Sequence, residues 1–118
     1  MRHICTAALF LSMAASAVTP AAAQQTPAKR IEQCSLLIAG DEFIGGPCDF
    51  TLLDDDGSFQ IMSTDGAFFA QVDIVAPGEA RGYWNEEAGA NHAHSPLGTL
   101  YRDGACWRDG EAVDVCAW

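Results

Sequence analysis

Residues 99–118 read TLYRDGACWRDGEAVDVCAW. Asp103-Gly104 and Asp109-Gly110 each sit between short runs of β-formers. Asp-Gly is a strong hairpin signal, because both central positions of the tightest hairpin turn need positive φ. The stretch therefore predicts a three-strand meander. Its strands are Thr99–Arg102, Ala105–Arg108 and Ala112–Trp118, with the two Asp-Gly pairs as turns.

The same grammar extends upstream. No window sustains a helical apolar period over three turns. Short apolar runs alternate with glycine, proline and aspartate instead. Cys34–Ala39 leads through Gly40-Asp41 into Glu42–Ile44, and Gly45-Gly46-Pro47 is expected to turn the chain. Cys48–Leu53 and Ser58–Met62 flank the turn Asp54-Asp55-Asp56-Gly57. Across Phe68–Val75, period two puts Phe68, Ala70, Val72 and Ile74 inward and Phe69, Gln71 and Asp73 outward. Pro77-Gly78 ends that strand, Ala80–Trp84 is another, and Asn85–Pro96 is expected to be a long loop. Seven or eight short antiparallel strands imply an all-β fold, a small barrel or sandwich. Trp84, Trp107, Trp118 and the phenylalanines supply its large apolar volume.

The N-terminus is built differently. Met1-Arg2-His3 precedes an apolar run from Ile4 to Val18, and Ala21-Ala22-Ala23 follows Thr19-Pro20. A basic start, a short apolar run and a small-residue site form a secretory signal, with cleavage expected after Ala23. The run is too short for the roughly 20 residues of a spanning helix, and Cys5 is too early to be a lipid-acceptor cysteine. The expected organisation is a signal peptide at 1–23, a flexible leader at 24–30 and a single β domain at 31–118. The product is expected to be soluble and periplasmic, with secretion to the medium also open.

Cleavage removes Cys5 and leaves Cys34, Cys48, Cys106 and Cys116. Four cysteines in a small exported domain read as two disulfides. Of three pairings, Cys34–Cys48 and Cys106–Cys116 are preferred, since each joins residues within one hairpin-sized segment. No Cys-x-x-Cys exists, so a zinc site is disfavoured.

The whole chain has 6 basic and 16 acidic residues and a net charge of −10. Loss of Arg2 takes the mature chain to −11. This balance argues against nucleic acid and anionic membranes as partners and favours basic proteins.

Few residues suggest chemistry. His92 and His94 lie two apart, so on a strand both would face one side, with Glu86 and Glu87 as possible further ligands. Asp54-Asp55-Asp56-Gly57 fails the calcium-loop pattern, because a glycine at loop position six would put Leu52 at position one. There is no Gly-x-Ser-x-Gly and no marked nucleophile with its base. The domain is read as a non-enzyme with no cofactor.

Gly98-x-x-Tyr101, within Leu97–Arg102, resembles the Ser-Gly-x-x-Tyr signature of the exported c-type lysozyme inhibitors of Gram-negative bacteria. Leu97 stands at the serine position, and Ser95 lies two residues early. The resemblance implies a small disulfide-bearing β-barrel whose motif enters the lysozyme cleft and blocks two catalytic carboxyl groups. It also implies target contacts at Leu97, Gly98, Tyr101 and Arg102, with Arg102 supplying a basic group where the serine hydroxyl is missing. Tyr83 and Trp84 are candidate flanking contacts. Gly-Tyr-Trp-Asn at 82–85, His-Ala-His at 92–94 and Gly-Ala-Cys-Trp at 104–107 are similar to elements of small exported proteins of alphaproteobacteria. The implied partner is a basic wall-degrading enzyme, lysozyme or an endogenous muramidase. A metal- or small-ligand-binding module centred on His92 and His94 is the alternative, and a structural envelope protein is a third reading.

Overall fold

The computed structural model describes residues 27–118. The signal segment, Cys5 and residues 24–26 lie outside the described residues. Eight strands follow in order: β1 (Lys29–Ile38), β2 (Asp41–Leu52), β3 (Phe59–Ser63), β4 (Phe69–Ala76), β5 (Glu79–Trp84), β6 (Ser95–Asp103), β7 (Cys106–Arg108) and β8 (Val113–Ala117). Each pairs antiparallel with the next, and β8 pairs with β1, so the sheet is a closed barrel. Strand β1 begins at Lys29, so Lys29 and Arg30 belong to the sheet rather than to the expected leader.

The turns explain several shifts from the expected boundaries. Ala39 and Gly40 both have positive φ, 52° and 85°, and connect the paired residues Ile38 and Asp41. That is the mirror-image turn whose twist matches its strands. Gly45-Gly46-Pro47 does not turn the chain. It lies inside the continuous strand β2, opposite a register shift between Ile31 and Cys34. The Asp103 turn is centred on Gly104-Ala105, since Asp103 pairs with Cys106. Asp109-Gly110 opens a four-residue link rather than a two-residue turn.

Eight strands enclose an interior just wide enough for side chains to fill. Leu36, Ile44, Cys48, Ile61, Val72, Leu100 and Val115 fill it and are fully buried. The two ends differ. Trp84 packs on Phe43 and Phe68, with centroids 4.6 and 6.2 Å away, and plugs one end. Phe50 stacks on Phe59 at 5.3 Å near the other end, where Trp107 is also buried. Trp118 is 59% exposed and adds nothing to the core, contrary to expectation.

The disulfides join Cys34 to Cys48 and Cys106 to Cys116. The first lies within the core cluster. The second is on the outer wall, because Cys106 and Cys116 alternate with inward-facing Trp107 and Val115. On the chain-entropy model each short loop stabilises by about 3 kcal/mol. Disulfides imply an oxidising compartment. Among the described residues, no helix is long and apolar enough to cross a membrane.

Strand β6 breaks its own alternation. Leu97 and Leu100 are both buried, three residues apart. Opposite them Gly82 pairs with Gly98 and Tyr83 with Pro96, so Leu97 is the extra residue of a bulge. Gly98 takes φ 84°, a conformation that favours glycine. Gly82 makes room for both leucines. A Cβ there would stand 2.7 Å from Leu100 Cδ1 and 3.0 Å from Leu97 Cβ. Gly82→Ala is therefore expected to lower the stability by about 1–3 kcal/mol through overpacking. A urea melt would show this as a lower midpoint at unchanged slope; an unshifted midpoint contradicts the packing.

Candidate functional site

With the interior filled, the surfaces left for recognition are the outer wall and the barrel ends. The bulge sets which residues of the motif reach the wall. Beyond Gly98 the phase resumes with Thr99 out, Leu100 in and Tyr101 out. Tyr101 is 55% exposed. Its neighbours across the sheet are Glu79 on β5 and Arg108 on β7, and Asp114 on β8 pairs with Arg108. A row Glu79–Tyr101–Arg108–Asp114 thus crosses four strands. Arg108 is held by Asp103 (Nη1 to Oδ2, 2.5 Å) and Asp114 (Nε to Oδ1, 3.0 Å). These pairs are solvent-screened and orient the guanidinium more than they stabilise the fold.

Beside Tyr101, a shallow depression of about 180 Å³ is lined by Arg81, Gly82, Tyr83, Pro96, Gly98 and Thr99. Tyr83 and Gly98 therefore do come together. Three of the expected contacts do not join them. Leu97 is buried in the core cluster, drawn inward by the bulge. Trp84 is buried in the aromatic plug. Arg102 pairs with Trp107, whose side chain is inward, so it points to the barrel mouth rather than alongside Tyr101. The motif is also strand rather than loop, from Ser95 to Asp103. Arg81, Thr99, Glu79 and Arg108 take the vacated places on the wall. The alternation of Arg81 with Tyr83 and of Thr99 with Tyr101 signals their shared face, but only once the bulge is known.

Nothing matches this chain in comparison with known proteins: no family model, no curated protein and no solved structure.

The histidines lie elsewhere, on the link between β5 and β6. Asn85 is buried and clamps this link: its Nδ2 donates to the carbonyls of Ala67, Glu87 and Ala90, and its Oδ1 accepts from Phe69 N. The link folds over the outside of β4 and covers Phe69, which is buried although alternation turns it outward. His92 and His94 are exposed, with ring centroids 5.1 Å apart. Glu86 accepts a hydrogen bond from Ser95 Oγ at 2.5 Å. Among the described residues, no group of three or more histidine, cysteine or acidic side chains is arranged to hold a metal ion.

The wall is braced at one end by Asp109. Its Oδ1 accepts from the backbone N–H groups of Glu111, Ala112 and Val113 at 2.8–2.9 Å. Backbone donation, that of Val113 first, holds its carboxyl below the usual carboxylate range. Asp65 is lowered in the same way, by the backbone N–H of Ala67 first, and Asp54 chiefly by a side-chain hydrogen bond with Ser58. A folded-state pKa below the unfolded value of about 3.9 stabilises above that value and is lost as pH falls through the folded value. Asp109→Ala is expected to cost about 1–2 kcal/mol at pH 7. In urea melts at successive pH values, its deficit should shrink toward strong acid, where the native carboxyl is itself protonated. A deficit independent of pH contradicts the assignment.

Proposed function

We propose that the protein is a periplasmic, non-enzymatic inhibitor of a basic wall-degrading enzyme, lysozyme or an endogenous peptidoglycan hydrolase. The observation that carries this reading is Tyr101, a half-exposed aromatic on a rigid strand at the position the inhibitor signature gives its tyrosine. Large aromatics that enter a partner's cleft are typical anchors of protein interfaces. The bulge at Gly98 supports the resemblance at the level of mechanism, since it is what turns Tyr101 outward.

In this reading the outer wall of β5 and β6 meets the cleft, with Tyr101 as anchor. Tyr83, Thr99 and the backbone at Gly98 surround it, and Arg81, which is in no ion pair among the described residues, faces the acidic catalytic groups of the target. The acidic remainder of the surface steers the approach of a basic enzyme, so association slows as salt rises. The signal segment and the two disulfides support a periplasmic site of action, where wall hydrolases work.

Lysis of a cell-wall suspension by lysozyme tests the reading. The mature protein is expected to slow lysis at near-stoichiometric ratios, and Tyr101→Ala to weaken inhibition by about 2 kcal/mol, roughly 30-fold. Undiminished lysis at large molar excess, with no wall hydrolase retained on the immobilised protein, overturns it.

A further inference from the structure

The outer face of β3 and β4 carries a recess that shares no lining residue with the depression beside Tyr101. Phe59 and Ile61 point inward on β3, as do Ala70 and Val72 on β4, so Gln60, Met62, Phe69 and Gln71 take the outer face. Register sets Gln60 opposite Gln71 and Met62 opposite Phe69. The link between β5 and β6 passes over these four and borders a depression of about 360 Å³, with His92 and Ala93 on its far side. This link is fastened on both sides of the histidines. Upstream, Asn85 Nδ2 donates to the carbonyls of Glu87 and Ala90, and Gly89 N donates to the carbonyl of Ala67. Downstream, Ser95 pairs with Trp84, and its hydroxyl donates to Glu86. His92 and His94 therefore stand on a braced segment.

Three features point to a metal ion of a particular kind. The first is which residues meet. Between residues 27 and 118 the sequence holds two histidines and one methionine, His92, His94 and Met62. Met62 and His92 line the same recess, and the His94 ring stands beside that of His92. The fold thus gathers every imidazole and the thioether of these residues at one place. The second is geometry. An imidazole nitrogen lies about 1.1 Å from its ring centroid and about 2.0 Å from a bound first-row ion, so two rings sharing an ion near the tetrahedral angle have centroids about 5.1 Å apart. The observed separation is 5.1 Å. The third is charge. No charged side chain lines the recess, and among the described residues no cysteine or carboxylate joins the histidines in a group of three. Such neutral donors serve a hard divalent ion poorly. Two imidazoles and a thioether suit a soft monovalent ion, copper(I) before zinc.

We propose that His92, His94 and Met62 form a copper(I) site. The two imidazoles hold the ion from the link, and the Met62 thioether completes the coordination from the face of β3. Methionine is unbranched and has three rotatable bonds, which lets its sulfur follow an ion held by the histidines. The net negative charge of the protein raises the concentration of cations around it. None of the three ligands belongs to the wall that carries Tyr101, so copper binding and inhibition of lysis fail or succeed independently.

Competition between the mature protein and a weak chromogenic copper(I) chelator, with ascorbate as reductant, tests this. The protein is expected to withdraw one equivalent of copper(I). His92→Ala and His94→Ala are each expected to weaken uptake by at least about 100-fold, since loss of even a contact that supports a ligand costs about 10–100-fold. Met62→Leu conserves volume and is expected to weaken uptake by about tenfold. Silver(I) is the diamagnetic probe. In NMR spectra it is expected to shift the ring protons of both histidines and the Met62 methyl. The histidines are exposed and Met62 is half-buried, so the variants keep the barrel, and unchanged urea midpoints would verify it. Three results overturn the proposal: no copper withdrawn from the chelator, uptake unchanged in either histidine variant, or copper(I) affinity indifferent to Met62→Leu. Zinc(II) that displaces copper(I) at equal concentration would overturn it as well, because a thioether site prefers the softer ion.

Discussion

The pairing of β1 with β8 is the constraint on which the rest of this structure depends. Cys34–Ile38 and Val113–Ala117 lie at the two ends of the domain in sequence, and their hydrogen bonds close the barrel. Without that seam the sheet would have two bare edges and a half-covered core. Closure brings Leu36 and Val115 directly opposite each other, and both are fully buried. The seam also bears the largest chain-closure entropy in the fold, because its partners are farthest apart in sequence. The disulfides flank it: one ties β1 to β2 and the other β7 to β8. Each stiffens one of the strands that must meet, so local links support the longest-range contact in the domain.

A filled barrel has little room for internal chemistry, and this one presents its exposed aromatic on the outer wall. The bulge at Leu97–Gly98 is the device. By inserting one residue against Gly82 it lets two leucines enter the core and turns Tyr101 to solvent. The same local feature that completes the packing therefore presents the aromatic. A glycine pair facing across two strands, Gly82 and Gly98, serves both purposes: one yields space and the other yields φ.

The two barrel ends show how chain geometry sorts surface chemistry. Where strands end in register, Phe43, Phe68 and Trp84 close the opening, and the Asn85 clamp lays the next segment over β4. Where β1 and β2 outrun β8, inward-facing apolar residues are exposed and a lysine stands among them. The asymmetry follows from strand length. It leaves the two ends of one acidic domain unlike, one plugged by aromatics and the other an apolar recess beside Lys29.

Much of the architecture follows from the sequence alone, because its causes are local. Turn chemistry at Gly40, Asp54–Gly57, Pro77-Gly78 and Asp103-Gly104 divides the chain into short strands. Two-residue alternation marks Ala70 and Val72 as core. Short separation makes Cys34–Cys48 and Cys106–Cys116 natural partners. Tertiary structure decided which face each remaining side chain takes. Alternation assigns faces only up to the next bulge, and a bulge forms where cross-strand packing requires it, here against Gly82. That is why Leu97, expected at the target contact, is core, why Trp84 serves the apolar volume and not the flanking contact, and why Arg102 and Tyr101 part company. It is also why Phe69, outward by its period, is buried: a segment sixteen or more residues away covers it. Closure, bulge position and cover are long-range contacts, and no short window of sequence contains both partners.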